Sequence, residues 1–309
     1  MEELERAQTR LDHIRTVAPI LSALRTISLG SWKAALKQTT SVRRYNERLG
    51  AILPPLVPHL AASRRVNLPA RRARREDAPA SNRIVVLVAG SERGLCGRFN
   101  AAAVERAERY LVEQKAAGIQ VELAALGARA IRILQRRGQP LAWSGALSVT
   151  ALPPYGTALD LTRRWLERYE AHDLDAVDLV HNAYHGTGRY EPTVTRLIPP
   201  PLHPQEAGPP GELWPPPIVE TDPLSLYARV VEQQTVLNLY GSLLDSAAAE
   251  HSTRFQLMEA ATQNADRLIA ELTLVVQTAR QAEITQEMQE LASGAGLIGP
   301  QGKGVKRDA

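Results

Sequence analysis

Cys96 is the only cysteine in this 309-residue chain. An internal disulfide is therefore excluded, as fits a reducing compartment. Aromatic residues are nearly as scarce, at 5% with two Phe. Small globular cores lean on aromatic side chains, whereas helix-rich chains can fill theirs with Ala and Leu. No apolar run approaches the ~18 residues that a bilayer span needs. The opening residues, MEELERAQTR, are acidic and hold no apolar stretch, so neither a secretory nor an organellar leader is expected. Glycine is absent before Gly30, and between Pro223 and Ala292 only Gly241 occurs, with no further proline. Helix breakers are thus scarce along both long segments.

What those ends contain is helical periodicity. Leu4, Ala7, Leu11, Ile14, Val17, Leu21, Leu24 and Ile27 recur at spacings of three and four. Pro54 and Pro55 are expected to stop this helix. Pro19 lies inside it, removes one backbone hydrogen bond and crowds the carbonyl four residues back, so a kink near Arg15 is expected. The C-terminal stretch predicts a helix on the order of 100 Å long at about 1.5 Å per residue. A small domain cannot cover so long a helix, which therefore needs a partner helix. From Met1 to Leu60 nine basic residues face five acidic ones, and from Thr221 to Ser293 four basic face ten acidic. Opposite charge balances at the two ends suit helices that pair with each other.

Between them the period changes. Arg83 to Ala89 (RIVVLVA) is a nearly unbroken apolar run, as expected of a strand buried on both faces. Helices are expected over 100–117, 128–137 and 159–171, and further strands over 121–126, 176–184 and 194–198. Strand and helix alternating at this spacing predict a Rossmann-like α/β domain with a mostly parallel sheet. It is inserted between two long terminal helices that form an antiparallel coiled coil. The expected organisation is a coiled-coil helix over 1–60, a basic loop over 61–80 and the α/β domain over 81–198. A stiff linker follows over 199–221, with nine prolines between Pro199 and Pro217. The second coiled-coil helix covers 222–293, and a flexible Gly-rich tail covers 294–309.

Chemistry-bearing candidates are few. GSERGLCG follows a strand and precedes a helix, where a phosphate-binding loop can sit. It lacks Gly-Lys-Ser/Thr and does not match G-x-G-x-x-G, so a structural turn around Gly94, Cys96 and Gly97 is the expected reading. Cys96 as a nucleophile needs a base, and the sequence shows no paired His signature. His181 and His185 are four apart but in a strand and turn, where that spacing does not put them on one face for a metal. The arginines from Arg64 to Arg75 could meet nucleic acid or anionic lipid, but no aromatic residues are interleaved for base stacking. A solvated loop is the simpler reading. No cofactor and no metal are expected. An enzyme built on the α/β domain would show acid, base or nucleophile residues clustered at strand ends, and none is apparent. A coiled-coil scaffold would show sustained heptads and self-association.

Two segments resemble a known family. Arg280 to Ala295 reads RQAEITQEMQELASGA, similar to the C-terminal signature of the gamma subunits of F-type rotary ATP synthases. Ser91 to Asn100, SERGLCGRFN, resembles that family's Ser-Asp-Arg-Gly-Leu-Cys-Gly turn, with Glu92 in place of Asp. Met258 to Asn264 (MEAATQN) echoes its Met-Lys-Ala-Ala-Thr-Asp-Asn. The N-terminal helix keeps the family's apolar positions but not its polar ones, which leaves open a housekeeping synthase or an alternative ion-pumping ATPase.

What the resemblance implies is a mechanical part with no active site of its own. The coiled coil would turn inside a ring of alpha and beta subunits, driven by ion flow through a membrane c-ring, and its asymmetry would force the catalytic sites into different states. By position, Arg280 and Gln281 would meet a beta-subunit catch loop and Arg254 an acidic beta loop. Thr285 and Glu287 would lie at the shaft's upper bearing, and the α/β domain would seat on the c-ring and hold the epsilon subunit. The expected place is the cytoplasmic face of a bacterial plasma membrane, as a peripheral subunit. With Cys96 alone, the thiol switch of chloroplast members is excluded.

Overall fold

The structure, a computed structural model, describes residues 2–53, 56, 82–149, 151–200 and 218–294. The expected basic loop, Pro54 and Pro55, most of the Pro-rich linker and nearly all of the tail lie outside them. The elements in chain order are α1 (Glu2–Gly50), β1 (Arg83–Ala89), α2 (Phe99–Ala116), β2 (Gln120–Leu126) and α3 (Ala128–Arg136). Then come β3 (Trp143–Gly145), α4 (Tyr155–Glu170), β4 (Ala176–Tyr184), β5 (Tyr190–Ile198) and α5 (Pro223–Gly294). Among the described residues no helix is long and apolar enough to cross a membrane.

Two compact units divide the chain, 1–24 with 258–309 and 25–257. The larger holds a five-stranded sheet in the order β3-β2-β1-β4-β5. β1, β2, β3 and β4 are parallel, and β5 returns antiparallel along β4. Alternation along β1 sorts its side chains. Ile84, Val86 and Val88 join Ala103, Val104, Ala107 and Leu111 of α2 and Ala130 and Leu134 of α3. Val85, Leu87 and Ala89 face the other way, onto Leu161 and Trp165 of α4. Successive residues of a strand point to opposite faces, so an unbroken apolar run builds both cores at once.

The second of these cores contains more than the domain's own segments. Val236, Leu239, Tyr240, Leu243 and Leu244 of α5 belong to it. Their spacing of i, i+3, i+4, i+7, i+8 makes one helical face, and that face lies on the sheet. The C-terminal helix is therefore a layer of the α/β fold as well as a coiled-coil strand, because a stripe covered by the sheet no longer needs the partner helix. Where α5 does meet α1 inside this unit, the order is antiparallel. Trp32 packs on Phe255 at 5.9 Å between ring centroids, Gln38 Nε2 donates to Tyr240 Oη at 2.7 Å, and Asn46 Nδ2 donates to Asn238 Oδ1 at 2.8 Å. Ala35, Ala247 and Ala248 form the close-packed contact between them.

The smaller unit pairs the start of α1 with the end of α5. Leu11 and Val276 are buried in it, and an Arg15 guanidinium nitrogen lies 3.5 Å from Thr273 Oγ1. Pro19 is exposed, and α1 is continuous through it.

Candidate functional site

Where β1 ends, the chain makes the turn that the sequence singled out. Asn100, in the first turn of α2, reaches back into it. Its Oδ1 accepts from the Ser91 backbone N–H at 2.8 Å, and its Nδ2 donates to Ser91 Oγ at 2.8 Å. Ser91 Oγ donates to the Arg93 carbonyl at 2.6 Å. Left-handed backbone is needed at Leu95 (φ 62°) and Gly97 (φ 58°), and only the second position is glycine. Gly94 contributes its carbonyl rather than an unusual φ. Cys96 is buried against Phe99 and Ala249, and burial pushes its thiol pKa up. A protonated, enclosed thiol is a poor nucleophile.

The electrostatics of the turn run opposite to those of a phosphate loop. Phosphate sites present backbone N–H groups to the anion. Here the carbonyls of Arg93 and Gly94 face a cation, accepting from Arg254 Nη2 at 3.2 Å and Nε at 3.1 Å. Arg254 is 6% exposed and also donates to Glu250 Oε1 at 2.6 Å and to His251 Nδ1 at 3.1 Å. A guanidinium only donates, so Nδ1 of His251 is the acceptor and the imidazole is neutral. Burial, then the nearby Arg254 charge, lowers the His251 pKa to about 4. Burial raises the Glu250 carboxyl, and Arg254 opposes that rise.

The place is informative. In doubly wound sheets ligands enter the crevice at the carboxyl ends of the strands, where strand order reverses. β1 is at that reversal, between β2 and β4, and α5 fills the crevice beside its end. The free space left between Gly90, Glu92, Leu147, Glu250, His251 and Arg254 is about 30 Å³, against the roughly 300–1,000 Å³ of small-molecule pockets. Glu92, the residue that departs from the family turn, closes the site from the sheet side. Its Oε2 accepts from the N–H of Ala128 at 3.1 Å, at the positive end of α3, and from that of Leu147 at 2.9 Å. Nothing in the sequence around Glu92 identifies these partners, which lie 36 and 55 residues away.

The two histidines go to separate places. His181 is buried with Nε2 3.2 Å from Thr195 Oγ1, while His185, on the β4–β5 hairpin, lies 3.5 Å from Glu191. Among the described residues no group of three or more His, Cys, Asp or Glu is placed to hold a metal.

At the far end of α5 the expected contact residues share one condition. Arg280, Gln281, Thr285 and Glu287 are all exposed. Thr285 Oγ1 is turned onto the Gln281 carbonyl at 2.7 Å, a local bond that leaves the helix surface free. Ile284, Met288 and Leu291, spaced i, i+4, i+7, are 56%, 66% and 73% exposed. Together they form an exposed apolar stripe on one side of the helix. The structure does not bring Arg254 to this end. It holds that side chain inside the larger unit.

Comparison with known proteins extends the resemblance to nearly the whole chain. The family model described as ATP synthase matches residues 3–296. The ATP synthase gamma chain of Geobacter metallireducens is 29% identical over 298 residues, covering 96% of this chain and 99% of that one. That of Rubrobacter xylanophilus is 30% identical, covering 96% and 98%. Among solved structures, a chain of the Euglena gracilis mitochondrial ATP synthase in rotational state 3 superposes with a TM-score of 0.59 at 15% identity, covering 99% of each chain. A chain of the same organism's rotor in rotational state 1 gives 0.55 at 14%, covering 92% of this chain and 99% of that one. The chain belongs to the ATP synthase gamma-chain family.

Proposed function

We propose that this protein is the central shaft of a rotary ATP synthase, coupling rotation of a membrane ring to conformational change at catalytic sites on other subunits. The observation that carries the reading is the exposed end of α5, where the family's C-terminal signature coincides with apolar and charged side chains that have no cover among the described residues. A shaft acts by fitting one state of its surroundings better than another, and shifts them only by that difference in affinity. Chemistry is left to the surrounding ring, and this chain contributes force.

In this reading alpha and beta subunits surround the two helices, with Arg280 and Gln281 against a beta-subunit loop and Thr285 and Glu287 at the bearing. The α/β unit seats on the c-ring and holds the epsilon subunit, at the cytoplasmic face of the membrane. For Arg254 the internal bonds suggest a different assignment from an acidic beta loop, since a guanidinium with four acceptors at hand has little left to offer outside.

The test is recovery of the tagged protein from native cells. It is expected to bring down alpha and beta subunits with ATPase activity, and recovery alone or as a stable homodimer would sink the shaft reading. In the recovered complex, replacing Arg280 and Gln281 with Ala is expected to lower coupled ATP turnover and leave assembly intact. Unchanged turnover would remove those two residues from the interface.

A further inference from the structure

Polar contacts grip α5 from opposite sides of its axis, all within the unit of residues 25–257. On one side Arg254, tied to Glu250 one turn earlier, donates to the carbonyls of Arg93 and Gly94 in the β1–α2 turn. On the other side three residues meet the β4–β5 hairpin. Asp245 Oδ2 accepts from the Tyr184 N–H at 2.8 Å, Ser252 Oγ accepts from the Gly188 N–H at 3.3 Å, and Gln256 Nε2 donates to the Thr187 carbonyl at 3.3 Å. Asp245, Ser252 and Gln256 are spaced i, i+7, i+11 and share one face. At about 100° per residue, nine steps from Asp245 put Arg254 roughly half a turn away.

Nearer its start α5 is also tied to α4, by Arg163 Nε to Glu232 Oε1 at 2.8 Å and Tyr155 Oη to Gln233 Oε1 at 3.2 Å, both bonds exposed. Its contact with the sheet itself is apolar. Val236, Leu239, Leu243 and Leu244 lie on the sheet, and hydrophobic burial is not directional. Such packing keeps the apolar stripe of the helix on the sheet but limits small rolls about the helix axis less sharply than directed bonds do. Hydrogen bonds are directional and weaken steeply when bent. Bonds on opposite faces form a couple, and rotation of the helix strains both sets together. A buried ion pair adds little net stability over well-packed apolar side chains, so orientation is what Glu250 and Arg254 contribute.

We infer that Arg254 is a positioning residue for coupling: with the hairpin contacts opposite it, it locks α5 rotationally to the α/β unit, so that torque passes between them without slip. The inference rests on the shaft reading above.

The experiment uses the assembled membrane complex carrying wild-type chain, R254K, the double variant E250Q/R254Q or L243A. It measures ions pumped per ATP hydrolysed. Wild type is the reference, and if it failed to support pumping the shaft reading itself would fall. The double variant removes both charges, so no unpaired ion is buried. It is expected to assemble and hydrolyse ATP with a clear loss of pumping per ATP. R254K keeps the charge but not the fork that reaches two carbonyls, and is expected to fall between. L243A deletes apolar packing on the same helix and is expected to lower the thermal midpoint while keeping the wild-type ratio. A wild-type ratio in the double variant would overturn the inference, as would an equal loss in L243A. Failure of the double variant to assemble would make the pair a folding requirement and would also overturn it.

Discussion

His181 gives the cleanest handle at the scale of single residues. Burial lowers its pKa to about 4 from an ordinary 6.5, with a smaller opposing effect from a backbone bond at Asn182. Between those values the unfolded chain takes up a proton that the folded chain refuses, so stability falls as pH falls from 6.5 to about 4 and levels off below. The difference corresponds to about 3 kcal/mol for one group. His251 acts in the same direction. Glu250 opposes them, because a carboxyl with a raised pKa stabilises the folded state as pH drops. The thermal midpoint of the purified chain is therefore expected to fall between pH 6.5 and 4.5, and H181Q is expected to flatten part of that fall. A midpoint equally steep in H181Q would show that His181 is protonated in the folded protein. The residue scale is also where sequence reading reached least far. Gly97 and Cys96 were legible as parts of a turn, but Arg254 and Glu92 were not legible in their roles, since a side chain's partner 160 residues away leaves no local trace.

Elements were mostly legible, and their exceptions have causes. β1 and β4 appear with the expected bounds, because buried strands need continuous apolar runs. β5 begins at Tyr190 rather than 194, since its first residues are polar and are made strand by pairing with the end of β4. β3 is three residues, WSG, held by pairing with Ala124 to Leu126, and no periodicity fits into three positions. In α1 the proline is tolerated where it faces solvent. Proline in a helix interior costs about 3 kcal/mol relative to alanine, so Pro19→Ala is expected to raise the thermal midpoint with helix content by circular dichroism unchanged. A lower midpoint would show that the local shape imposed by Pro19 is needed. Loss of coupled turnover without loss of stability would give that shape a function.

For the whole molecule, the exposed end of α5 predicts a separation of folding from function. Residues 280–294 are almost entirely exposed and add nothing to either sheet core. A chain ending after Ala279 is expected to keep the thermal midpoint of the α/β unit within a degree or two and to lose coupled turnover in the complex. A large drop in the midpoint would mean that this segment contributes to folding after all.

The sequence by itself determined the two long helices, through the scarcity of breakers and the spacing of apolar residues. It also determined the sheet, through apolar runs that only a doubly covered strand can use, and it carried the family signature in the turn at 91–100 and in the C-terminal helix. Tertiary structure decided what those helices touch. A face at i, i+3, i+4, i+7 is equally satisfied by a helix or a sheet, and only folding placed Val236 to Leu244 on the strands. Once α5 lay there, its polar side chains met the β1–α2 turn and the β4–β5 hairpin, a neighbourhood fixed by chain packing rather than by any residue's own chemistry.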